Sequence, residues 1–98
     1  MTMEEKEAIA MAMMAIDLKS DDAKSERRQC LAKLNNYVNR KTVNDLRYAL
    51  DHLRFLYQVL IDKKAPQKAE RIVKEIAPLF QPHLCAAHLC DHPEHEEK

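Results

Sequence analysis

Not one of the 98 residues is glycine. The favoured two-residue β-hairpins, and loops that wrap phosphate, need backbone torsions that only glycine adopts cheaply. A chain without it is steered away from sheets and nucleotide-cradling loops and towards helices, whose interiors glycine would weaken. The expected class is all-α, a compact bundle of four helices plus a short C-terminal helix.

The local signals agree with that class. Thr2 followed by Glu5 is a capping-box pattern and opens a first helix over about residues 3 to 19. Ser20, Asp21 and Asp22 offer caps for a second helix that ends near Arg40, and Thr42 with Asp45 opens a third that runs to about Lys64. Pro66 suits the first position of a fourth helix, which Pro78 should end or kink; Pro82 can start the short fifth, which stops before Pro93. Residues 1–92 are thus expected to form one helical domain, with 93–98 as a mobile acidic tail that carries a histidine.

Apolar residues set what each helix must bury. In the second helix Ala23, Cys30, Leu31, Leu34, Tyr37 and Val38 make one stripe, and in the fourth Ala69, Ile72, Val73, Ile76 and Phe80 do so. The third carries two seams: Val43, Leu46, Leu50, Leu53, Tyr57 and Leu60 on one side, and Tyr48, His52, Phe55 and Val59 on the other. The first is apolar all round between Ala8 and Ile16. Two helices that need cover on several sides exceed what the remaining helices supply. The surplus points to a homodimer or to a groove for another protein, with Met11, Met13, Met14, Tyr48, Leu53, Phe55, Leu56 and Val59 as the contact residues.

Charge narrows the partners. Sixteen basic residues balance sixteen acidic ones, which disfavours binding driven by bulk charge, whether to nucleic acid or to an anionic membrane. The distribution is uneven, with a net −4 over residues 1 to 22 and +5 over residues 23 to 41. Lys24, Arg27, Arg28, Lys33, Arg40 and Lys41 in that basic stretch are the candidate nucleic-acid contacts. The uninterrupted apolar run Ala8 to Ile16 is far short of the roughly 18 residues of a membrane span, and the "MEEKE" before it is net negative where a secretory leader would be positive. A cytoplasmic location with reduced thiols is expected for the three cysteines.

The stretch "HLCAAHLCDHPEHEEK" gathers four of the five histidines and two of the three cysteines. Cys85, His88, His92 and His95 fall at helical spacing and are ligand types that zinc accepts. Pro93 interrupts that face, and no second ligand pair appears elsewhere, so the expectation is a docked helix with no metal and no cofactor; zinc is the alternative. "HLCDH" has the spacing of H-x-x-E-H with aspartate for glutamate, but an enclosed cleft for such chemistry does not fit a small helical chain. His52, between Tyr48 and Phe55, reads as a packed histidine.

The expected function is accordingly non-enzymatic: a small protein-interaction module, an inhibitor, adaptor or assembly factor, working through apolar helix faces. The alternative is a metal-stabilised nucleic-acid-binding regulator that uses the basic second helix and the histidine- and cysteine-rich end.

Overall fold

Thr2 begins the fold as the sequence pattern implies. Its hydroxyl accepts the Glu5 backbone N–H at 3.1 Å, and the Glu5 carboxylate accepts the Thr2 N–H at 2.9 Å. This reciprocal cap starts α1, Met3–Met14. The computed structural model describes residues 1–89. Cys90, His92, His95 and the tail expected at 93–98 lie outside the described residues.

α1 stops five residues before the expected Lys19. The cause is burial: Ile16 and Leu18 are turned into the core, with 2 and 5 % of their surface exposed, and a helix continued through them would place them on different sides. Arg27 holds this turn by donating from Nη1 to the Ile16 carbonyl at 3.4 Å. α1 is also not buried all round. Ile9 and Met13 point inward, while Met11 and Met14 are 74 and 60 % exposed.

After Ser20, α2 (Asp21–Arg40) and α3 (Val43–Asp62) form a long hairpin joined only by Lys41 and Thr42. So short a connection makes the two helices antiparallel neighbours. Ala23, Cys30 and Leu34 of α2 face Leu46, Ala49, Leu53, Leu56 and Leu60 of α3. The α3 core positions follow one another three and four apart, the spacing that keeps a stripe on one side of a helix.

The fourth rod is α4 (Pro66–Arg71), a π turn at Ile72–Ile76 and α5 (Ala77–Ala86), with helical backbone torsions at both junctions. The expected fifth helix therefore begins before Pro82 and continues directly from the fourth. Pro78 does not end the rod. Proline lacks an N–H, and its ring presses on the carbonyl four residues back. A π turn immediately upstream, with the Ala77 N–H reaching back to the Ile72 carbonyl, spaces that turn more widely. It also aligns the core. Ile72, Ile76, Phe80 and Leu84 are buried at steps of four, which in an α-helix would drift by about 40° each; the wide turn absorbs part of that drift.

α1 rests against α2 and the π turn, and α4 rests against α3, so the four rods close around one core centred on Phe80, Ile9, Met13, Leu34 and Leu56. The described residues contain no buried polar or charged side chain. The bundle measures 42 × 29 × 19 Å.

Without glycine, three helix ends still adopt the left-handed conformation in which glycine usually sits: Lys41 (φ 58°), Lys64 (φ 60°) and His88 (φ 57°). At Lys64 the paired bonds are Ala65 N–H to Leu60 O at 2.8 Å and Lys64 N–H to Ile61 O at 3.0 Å. His88 repeats the pattern, with Leu89 N–H to Leu84 O at 2.8 Å and His88 N–H to Cys85 O at 3.1 Å. Both are Schellman ends, and Lys41, whose N–H meets Tyr37 O at 2.7 Å, makes the simpler left-handed cap.

Candidate functional site

α3 buries one stripe and leaves a second uncovered beside it. Tyr48, His52, Phe55 and Val59 succeed one another at steps of four, three and four, so they share a side of the helix. Tyr48 is 52 % and Phe55 57 % exposed, whereas His52 and Val59 are half-buried. A chain with five aromatic side chains thus keeps two of them, about two helical turns apart on one face, in water.

α2 frames this face with charge. Glu26 Oε2 lies 2.7 Å from His52 Nδ1, and the Lys33 ammonium sits 5.4 Å from the centre of the Tyr48 ring. The His52 ring in turn meets the Phe55 ring edge-on, with centroids 6.4 Å apart and planes at 64°. The result is an aromatic centre with a polar rim, the arrangement by which protein interfaces concentrate their energy. Sequence reasoning did not find Glu26 and placed no carboxylate beside His52. The available signal was the two-residue connection, which forces α2 and α3 to run antiparallel and sets their middle thirds against each other.

Of the expected contact residues, Tyr48, Phe55, Met11 and Met14 are at the surface, and Val59 is half-buried. Met13, Leu53 and Leu56 are not available to a partner. They are 0, 4 and 1 % exposed, because a single buried stripe runs between the two seams and takes Leu53 and Leu56 into the bundle, and Met13 is the inward side of α1.

The six basic residues between Lys24 and Lys41 do not form one row. Lys33 follows Lys24 by nine residues, half a turn round the helix. It leans on Tyr48, whereas Arg27 is committed to the Ile16 carbonyl. Lys24 and Arg28 share an exposed side, Arg40 closes α2, and Lys41 lies in the connection. For the ligand-rich end, the helical face breaks at His88, whose left-handed torsion follows the close of α5 at Ala86. Cys85 and His88 therefore do not continue as one helical row, and His92 and His95 are outside the described residues. Among the described residues no group of three or more His, Cys, Asp or Glu side chains could hold a metal ion.

Glu26 meets His52 at 2.7 Å and also bears on the Cys30 thiol, yet that thiol is not set up as a nucleophile. The Cys30 thiol is fully buried and donates to the Ala49 carbonyl at 3.2 Å. Burial, and then the nearby Glu26 carboxylate, push its pKa up to about 12, whereas an attacking thiol needs its pKa lowered.

On the other flank of α3, a trough of about 380 Å³ runs along the fourth rod, lined by Leu50, Leu53, Tyr57, Ile72, Val73 and Ala77 with Arg54 and Gln58 at its edge. Its continuation is bordered by Arg47, Asp51 and Leu89. No helix among the described residues is long and apolar enough to cross a membrane. No protein-family model, curated protein or solved structure matches the chain.

Proposed function

We propose that the chain is a small non-enzymatic protein-interaction module, an inhibitor, adaptor or assembly factor, that engages another protein through the α3 face centred on Tyr48 and Phe55. The observation that carries this reading is the exposure of those two rings beside a core stripe that is complete without them. Leaving a large side chain such as Phe55 in water forgoes roughly 1.5–3 kcal/mol that burial would supply. A bound protein recovers it. Glu26 and Lys33 at the rim set orientation and partner choice more than affinity.

The module works in the cytoplasm as a homodimer. The odd count of three cysteines, which cannot all pair within one chain, supports a reducing compartment, and the exposed Met11 and Met14 of α1 support self-association.

The test is the double variant Tyr48→Ser/Phe55→Ser. It should keep its helical spectrum and melt within a few degrees of the parent, while losing the polypeptide that the parent retains from host extract. Retention of the same polypeptide by both proteins, or no retained polypeptide at all, would contradict the proposal.

A further inference from the structure

We propose that the trough between α3 and the fourth rod receives α1 of a second copy, reciprocally, so that two chains pair about a two-fold axis. This develops the self-association proposed above and is independent of the Tyr48 and Phe55 face. Two exposed surfaces on one chain carry it, because each supplies what the other lacks.

The outward side of α1 is itself a ligand-like helix face. Met3, Glu4, Glu7, Met11 and Met14 all lie there, every one exposed, while Ile9 and Met13 anchor the opposite side. After Met3, acid occupies its N-terminal half and methionine its C-terminal half. The trough has the matching polarity. Tyr57 and Val73 make its apolar end, and Arg47 and Arg54 mark the other, with Leu50 and Asp51 between them, leaving that end net positive. None of Glu4, Glu7, Arg47 and Arg54 is in an ion pair among the described residues.

Length agrees as well. The 12 residues of α1 span about 18 Å, and α3 from Arg47 to Ile61 spans about 21 Å. Laid parallel to α3, an incoming α1 sets Glu4 and Glu7 towards Arg47 and Arg54 and its methionines over Tyr57 and Val73. Methionine suits a trough of irregular shape because its unbranched chain adapts. Val73 is 53 % exposed because the π turn keeps Ile72 and Ile76 on the core line and leaves their neighbour outside. The same-patch-on-both-chains rule of a two-fold dimer is met when each chain gives its α1 and offers its trough.

The experiment is sedimentation velocity at about 50 µM on the full chain, on Glu7→Arg, on Arg54→Glu, and on an equimolar mixture of the two variants, with circular dichroism to show that each is folded. The parent is expected to be a dimer. Each variant alone sets like charges together twice per dimer, and its association should weaken by at least about tenfold. In the mixture one contact is native and the other charge-reversed, so dimers should return. A monomeric parent would overturn the proposal, and so would single variants that dimerise unchanged or a mixture that stays monomeric. Dissociation by Tyr48→Ser/Phe55→Ser but not by Arg54→Glu would also overturn it, placing self-association on the aromatic face. Loss of the host polypeptide from that double variant with the dimer intact would separate the two readings.

Discussion

Glu26 and His52, 26 residues apart in the chain, meet at 2.7 Å across the α2–α3 hairpin, each with about a quarter of its side chain exposed. The pair ties the two longest helices together next to the aromatic face, so it bears on orientation there as well as on stability. A double-mutant cycle with Glu26→Gln and His52→Gln, read from urea unfolding at neutral pH, should give a coupling of about 1 kcal/mol or less that shrinks in high salt. A coupling several times larger would show that the pair is a principal clamp of the fold.

Cys30 sets an alkaline limit to stability. Its folded pKa, pushed up to about 12 from an ordinary value of 9.0, means that above pH 9 the unfolded chain releases a proton that the folded chain keeps. Stability therefore falls as pH rises from about 9 towards 12, by about 1.4 kcal/mol per pH unit for this one group. Cys30→Ala should cost about 1 kcal/mol at neutral pH through the small cavity it leaves. Its deficit relative to the parent should narrow or reverse by pH 11. Parallel stability curves for the two proteins between pH 8 and 11 would show that the thiol is not the group responsible.

The left-handed lysines offer a stabilising substitution. A non-glycine residue in that conformation costs about 1–2 kcal/mol, and glycine gives part of this back through its greater freedom in the unfolded chain. Lys64→Gly and Lys41→Gly should each raise stability by about 0.5–1 kcal/mol, measured by thermal and denaturant melts. Destabilisation by either would mean that the lysine side chain makes a contact worth more than the torsion.

Acid should loosen the start of α1. The Glu5 carboxyl is held below its ordinary range first by the Thr2 backbone N–H, then by the Thr2 hydroxyl, and further by His83 Nε2 at 2.9 Å. A depressed carboxyl supports folding above its unfolded pKa, near 4.5, and that support fades as pH falls through the folded value. Glu5→Gln should therefore flatten the acid limb of the stability profile, and identical limbs would remove Glu5 from the account.

Much of the bundle is legible in the sequence, and the departures have physical causes. The absence of glycine, the Thr2 and Glu5 pair, and the stripes Ala23–Cys30–Leu34 and Ala69–Ile72–Ile76–Phe80 identify helices and inward sides directly, because they depend on neighbours within two turns. α1 ends earlier than the local pattern implies because Ile16 and Leu18 are pulled inward by the bundle, an effect of tertiary packing. The π turn leaves only a faint trace in that stripe: Ile72, Ile76, Phe80 and Leu84 follow at unbroken steps of four, which drift round a regular α-helix by about 40° each. The candidate face was half legible. Periodicity found the seam of Tyr48, His52, Phe55 and Val59, but only packing decides that Leu53 and Leu56 lie inside and that Glu26 and Lys33 close over its edge.

Phe55 is proposed to serve a bound protein, whereas Leu53, two residues earlier, serves the fold. Photo-crosslinking separates the two roles, with Phe55→p-benzoylphenylalanine in the native host and the same probe at Gln67, on an exposed polar side of α4, as control. Leu53→Ala, for comparison, should cost about 2–5 kcal/mol as a buried leucine. A discrete crosslinked polypeptide is expected from position 55, absent from position 67 and diminished when Tyr48→Ser is added, with the melting temperature unchanged by the probe. No crosslink from position 55, or the same products from both positions, would contradict it.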